Sequence, residues 1–168
     1  MIKKCVEYNE NLEKNMEILS KGAFLTTKTG NKVNSMTIAW GSIGFIWGKP
    51  VFMVMVRPQR YTYGIIEKSK EFTVTIPYEK MNKELAFLGS KSGKDMNKLA
   101  ELNISTVNSE KIRTPVLEVE GMHFECKVIY KTTMSEANLD KTINDEKYPL
   151  EDYHTLYFGD IISSYTIN

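Results

Sequence analysis

The sequence predicts a mainly β fold with peripheral helices, an antiparallel barrel. Two observations point there. Strand-like segments follow one another with helices inserted between only some of them, so strand and crossover helix do not alternate regularly. In addition, no GxGxxG turn follows the early strands and no GxxxxGK[ST] loop is present, which argues against Rossmann and P-loop sheets. One domain over residues 1–168 is expected, with about six or seven strands and three or four short helices.

NLEKNMEILSK (11–21) places Leu12, Met16 and Leu19 at helical spacing, with Gly22 as the stop. AFLTTKTGNKVNSMTIAW (23–40) reads as two strands around a turn at Gly30 and Asn31, which tolerate positive φ. PVFMVMV (50–56) is a continuous apolar run, the pattern of a strand covered on both faces, and Pro58 stops it. A short helix is expected over 61–69, and a strand over EFTVTI (71–76), ended by Pro77. EKMNKELAFLG (79–89) reads as a helix. GSKSGKD (89–95) is a polar loop, with Asp95 as the expected N-cap of a second short helix over 96–102. Strands are expected again over 112–133 and 153–167, joined by a long connection over 134–149 that carries Asn138, Asn144 and Pro149.

Composition narrows the function classes. A chain of 168 residues, 42% hydrophobic and 26% charged, reads as soluble and globular with a real core. A net charge of +1 argues against a dedicated nucleic-acid binder but leaves room for a local basic pocket. Cys5 and Cys126 form no CxxC pair, so a reduced, cytoplasmic setting is expected. MIKKCVEYNENLEK has no apolar h-region, and no signal peptide is expected. The longest apolar stretch, near 43–56, is interrupted by Gly48, Lys49 and Pro50 and is not expected to span a membrane. His123 and His154 lack any HExxH or CxxC context, so no metal site is expected. There is no GxSxG elbow.

Three segments carry residues suited to chemistry. NSMTIAWGS (34–42) offers the hydroxyls of Thr37 and Ser42, strand backbone groups and the π-face of Trp40; an ordinary strand with a packed tryptophan fits it equally. VMVRPQRYTYG (54–64) sets Arg57 and Arg60 where a strand ends and a helix begins. Arginine forks onto phosphate, and Thr62 and the N–H groups of a starting helix add donors. A solvated turn with surface arginines is the ordinary alternative. SKSGKD (90–95) is either an anion cradle or a polar linker, and matters only if it folds back toward Arg57 and Arg60. His154 is a candidate substrate contact or a structural histidine, and Cys126 reads as a small core residue.

The order MTIAWG, KPVFMVMVRPQRYTYGII, EFTVTIP, LGSKSGKDMNK and HTLYFGDI resembles the flavin reductase-like family, and within it the flavoredoxin-type proteins. The resemblance runs from about residue 20 to 165 and rests on RPxRYT combined with SKSGKD. It implies an FMN-binding split β-barrel that works as a homodimer. It implies FMN along Met36, Thr37, Ile38, Ala39 and Trp40, with main-chain groups at the isoalloxazine edge. The flavin and its phosphate would be met by Arg57, Pro58, Arg60, Tyr61 and Thr62, with the loop Ser90, Lys91, Ser92 and Gly93 closing on the phosphate or ribityl chain. His154 would lie on the nicotinamide side. Two-component reductases tend to carry an asparagine–serine pair where this chain has Ile38 and Ala39, which weighs against NAD(P)H reductase activity more than against FMN binding. The expected function is therefore a flavin-dependent oxidoreductase moving electrons between NAD(P)H or a redox protein and a flavin or downstream acceptor. A flavin storage module and a barrel binding another phosphorylated ligand, such as pyridoxal phosphate, stay open as alternatives.

Overall fold

A computed structural model describes residues 2–168 of the chain. The elements are β1 (Lys3–Cys5), α1 (Leu12–Lys21), β2 (Ala23–Thr29), β3 (Lys32–Ile38), β4 (Gly41–Ile46), β5 (Lys49–Val56), α2 (Tyr61–Ser69) and β6 (Glu71–Pro77). They continue with α3 (Asn82–Ser90), α4 (Lys98–Glu101), β7 (Thr106–Val107), β8 (Val116–Leu117), β9 (Gly121–Thr133), α5 (Lys141–Lys147) and β10 (Thr155–Ile167). The ten strands among the described residues exceed the expected number because β1, β7 and β8 are too short to leave a pattern.

The main sheet is antiparallel throughout and runs β3-β2-β6-β9-β10-β5-β4, with β1 added to β10. Its two terminal strands, β3 and β4, are neighbours in the chain, joined by Ala39 and Trp40 alone. The sheet therefore curls until its ends meet, and β3 and β4 leave a seam rather than a hydrogen-bonded closure. This is the split barrel expected from the sequence. Phe52, Val54, Phe72, Val74, Phe124 and Tyr157 fill its interior, all fully buried.

The β2–β3 hairpin turns at Gly30, whose φ of 54° suits the tight turn. Leu12–Lys21 forms a helix as its spacing predicts, and Gly22 ends it, donating to Ile18 O and Leu19 O. Several expectations need correction. The segment over 134–149 is not a plain connection, because it folds into a 3-10 turn at Glu136–Asn138 and α5. The short helix after the polar loop is Lys98–Glu101, capped by Asn97 rather than Asp95: Asn97 Oδ1 accepts from Ala100 N. On β5, Met53 and Met55 are only half-buried, so one face of that apolar strand is not covered by this chain.

His123 and Cys126 lie in the interior and are structural. His123 Nδ1 faces Thr75 Oγ1 at 3.1 Å and Nε2 faces Val119 O at 2.9 Å. Burial pushes the His123 pKa down to about 4, and pushes the Cys126 thiol well up. Among the described residues no helix is long and apolar enough to cross a membrane, and no cluster of His, Cys, Asp and Glu could hold a metal.

The β9–β10 pairing shifts register between Phe158/Gly159 and Ile161/Ser163, and such bulges bend and twist a sheet. A Cβ on Gly159 would lie 2.5 Å from Phe72 Cζ and 2.7 Å from Cys126 Cβ. Gly159→Ala is expected to cost about 1–3 kcal/mol through overpacking. A urea midpoint equal to that of the parent protein would contradict this account.

Candidate functional site

Strand β3 lies at the open end of the sheet, so alternate residues keep backbone N–H and C=O groups that no neighbouring strand takes. Two adjoining cavities run along it and share Met36. The first is walled by Met36, Thr37, Ile38, Ala39, Trp40, Met55 and His154. The second is bounded by Asn34, Met36, Gln59, Arg60, Tyr61, Thr62, the loop Ser90–Gly93, and Lys98. The polar loop does fold back onto the arginine-bearing turn.

The second cavity is cationic. Arg60 Nη2 donates to Gly89 O at 2.6 Å, and Lys98 Nζ donates to Leu88 O at 3.0 Å. Both cations thus cap carbonyls at the C-terminal end of α3, which accounts for their position. It does not account for their isolation. Neither pairs with a carboxylate among the described residues, and Lys98 is only 4% exposed. Burial, then the neighbouring Arg60 charge, lowers the Lys98 pKa to about 8. At the same point α2 begins. Its first turn holds no acidic residue, and the N–H groups of Tyr61 and Thr62 have no protein acceptor among the described residues. Thr62 Oγ1 accepts from Asn34 Nδ2 at 2.8 Å and keeps its own proton to donate. A Cβ on Gly93 would come within 1.9 Å of Asn34 Oδ1, so only glycine lets the loop close this far.

These features fit a phosphate: two cations without a counter-ion, a helix N-terminus, a free hydroxyl and a close-approaching loop. Some predicted residues are otherwise engaged. Arg57 forms an ion pair with Asp152, donates to Lys147 O at 2.8 Å and lies 5.0 Å over the Tyr148 ring. The turn through exposed Pro58 and Gln59 sends Arg57 and Arg60 to opposite sides, and Arg57 does not line the cationic cavity. The Ser90 hydroxyl is taken by Ala86 O at 2.8 Å, and the Thr37 hydroxyl by Leu85 O at 2.6 Å. Tyr61, Lys91, Ser92 and Gly93 line the cavity as expected.

At the other end His154 is 8% exposed, with its ring centroid 5.4 Å from that of Trp40. Its Nδ1 lies 2.8 Å from Tyr148 Oη, and burial together with Arg57 lowers its pKa to about 4. The ring is therefore neutral at pH 7.

The sequence signature of the flavin reductase like domain matches residues 17–168. The chain belongs to the flavin reductase-like family. Flavoredoxin of Desulfovibrio vulgaris (Miyazaki F) superposes with a TM-score of 0.69 at 22% identity, over 88% of this chain and 69% of that one. The FMN-binding domain of a flavin reductase-like enzyme from Shewanella baltica gives a TM-score of 0.69 at 20% identity, over 98% and 77% of the two chains. An uncharacterized protein of Archaeoglobus fulgidus is 24% identical over 139 residues, 83% of this chain and 68% of its own length. The structural likenesses show a shared fold.

For this flavin reductase-like chain, sequence reasoning missed Asn34, Gln59, Lys98 and Tyr148. Asn34 and Lys98 stand inside quoted segments, yet only the fold shows that both are buried in one pocket. The Lys98 pKa is lower folded than unfolded, so the unfolded chain binds more protons between about pH 8 and the ordinary lysine range. Stability of the cofactor-free protein is expected to rise as pH increases through that window. Urea titrations at pH 7.5 and 10 check it: Lys98→Met should flatten the rise, and an unchanged slope would contradict it.

Proposed function

We propose that this chain binds FMN along β3 and acts as a flavin-dependent oxidoreductase. One observation carries the proposal: Arg60 and the buried Lys98 converge without a counter-ion at the start of α2, beside the open edge of β3. When bound, FMN supplies hydride and single-electron chemistry at its isoalloxazine ring.

This chain's residues would bind and orient it. Lys98, Arg60, Thr62 and the Tyr61 and Thr62 N–H groups hold the phosphate. Backbone groups along Met36–Trp40 meet the ring edge. Trp40 and Met55 wall the ring from water, and neutral His154 stands beside it with a single ring proton. Tyr148 steadies that imidazole through Nδ1. NAD(P)H and a redox protein are the two donor classes proposed. Anaerobic addition of NADH, NADPH and reduced ferredoxin in turn distinguishes them. Bleaching of the flavin band by any one supports an oxidoreductase, and no bleaching by all three favours a storage module.

The apolar face beside the site supports a homodimer. Phe45, Trp47 and Tyr130 are 64%, 59% and 48% exposed, and Trp47 lies 5.7 Å from Tyr130 and 6.1 Å from Phe158 between ring centroids. The half-buried Met53 and Met55 on β5 continue this face. A folded chain seldom leaves so many aromatic side chains to water without a partner.

Two outcomes test these proposals. Arg60→Ala should weaken FMN binding by about 1–3 kcal/mol, as for loss of a charge-assisted hydrogen bond, whereas Arg57→Ala should leave it near the parent value. Fluorescence titration reads both, and the reverse ranking would move the phosphate to the other end of the turn. For the dimer, Trp47→Glu should halve the mass measured by light scattering. A parent protein already monomeric at micromolar concentration would refute it.

A further inference from the structure

Lys98 lines the cationic pocket and is almost wholly buried. Its Nζ has one protein acceptor among the described residues, Leu88 O, and no carboxylate within ion-pair distance. With its pKa lowered to about 8, about a quarter of this lysine is free amine at pH 7.5, against about one part in a thousand for an ordinary lysine. A free amine keeps its hydrogen bond to Leu88 O and still has a lone pair to offer. Desolvation beside a second cation is a recognised way of making lysine a nucleophile. Here that nucleophile stands in a pocket shaped for phosphate.

We propose that Lys98 is an acylation site, modified by small acyl phosphates that the pocket captures through their phosphate group. The site rests on the anion pocket alone; only its consequence for the cofactor rests on the flavin reading.

The geometry suits the transfer. Arg60 and Lys98 cap neighbouring carbonyls of α3, Gly89 O and Leu88 O. A phosphate held by the guanidinium and by the first N–H groups of α2 therefore has the amine beside it. In an acyl phosphate the carbonyl carbon is separated from phosphorus by a single oxygen. The Nζ lone pair attacks that carbon, and a C–N bond forms. The C–O bond to the phosphate breaks, and its electron pair leaves with the phosphate. Arg60 and the N–H groups receive that added charge. The nitrogen gives up a proton to the departing phosphate. The products are a neutral amide at Lys98 and inorganic phosphate, and nothing is oxidised or reduced. The pocket encloses about 70 Å³, which favours a two-carbon acyl group over a long chain. A groove of about 340 Å³ that Lys98 also borders gives the way in. Asp95 is the carboxylate on its lining, set against Lys32 and Lys94, so the entrance keeps a positive balance. Acylation removes the Lys98 charge from the place assigned to the FMN phosphate, so flavin loading falls as acyl phosphate rises.

Peptide mass spectrometry of the full chain treated with acetyl phosphate at pH 7.5 tests the proposal, with exposed Lys141 as the internal reference. Lys98 is expected to be acetylated about tenfold faster than Lys141 or more. Excess inorganic phosphate, against chloride of matched ionic strength, should slow Lys98 about tenfold, and Arg60→Gln should do the same without slowing Lys141. With acetic anhydride, which carries no phosphate, the preference for Lys98 over Lys141 should be about tenfold smaller than with acetyl phosphate. Lys98 reacting no faster than Lys141, no slowing by phosphate, or one preference for both reagents would overturn the proposal. Saturating FMN should protect Lys98. Rapid acetylation that FMN does not slow supports the acylation site and overturns the flavin reading instead.

Discussion

Two residues, Ala39 and Trp40, tie the ends of the sheet together, and the site depends on that tie. Six inter-strand steps separate β3 from β4 along the sheet. Laid flat, those steps would span about 29 Å. The link from Ile38 to Gly41 reaches about 11 Å at most. The sheet has no option but to curl, and bulged β9 and β10 with the close contact at Gly159 let it do so. Because β3 and β4 meet without pairing, one side of β3 stays open. That open backbone, with Trp40 at its end, forms the wall of the candidate site.

Charge is arranged on the same frame. The C-terminal end of α3 and the N-terminal end of α2 come together beside β3, with Arg60 and Lys98 between them. The α3 carbonyls give each cation one partner, and the α2 N–H groups add positive potential. A buried lysine without a carboxylate is a cost in the ligand-free fold. An anion in the pocket would offset it, so binding and stability are linked at this point.

The barrel class, the β2–β3 hairpin and helices α1 to α3 were legible because their patterns are local: apolar spacing, turn residues and stops. The helix α5 was not, since KTINDEK has little apolar periodicity and is held by the Asp140 cap, whose Oδ1 accepts from Thr142 N and Ile143 N. The site was half legible. RPxRYT and SKSGKD mark where an anion belongs, but two arginines three residues apart look equivalent in a string. Only the course of the turn assigns Arg57 to Asp152 and Arg60 to the pocket. Lys98 was hidden for a related reason. Its burial follows from α4 packing against β3, a contact distant in sequence.

Trp40 lines the ring cavity and is 44% exposed, beside the half-buried Met55 that continues the exposed apolar face where Trp47 stands. These are the chain's two tryptophans. The tryptophan emission of the protein, as distinct from that of its nine tyrosines, therefore originates from this one side of the molecule. That side carries its own optical label, so covering the face or filling the cavity changes the glow of the native chain without any added dye.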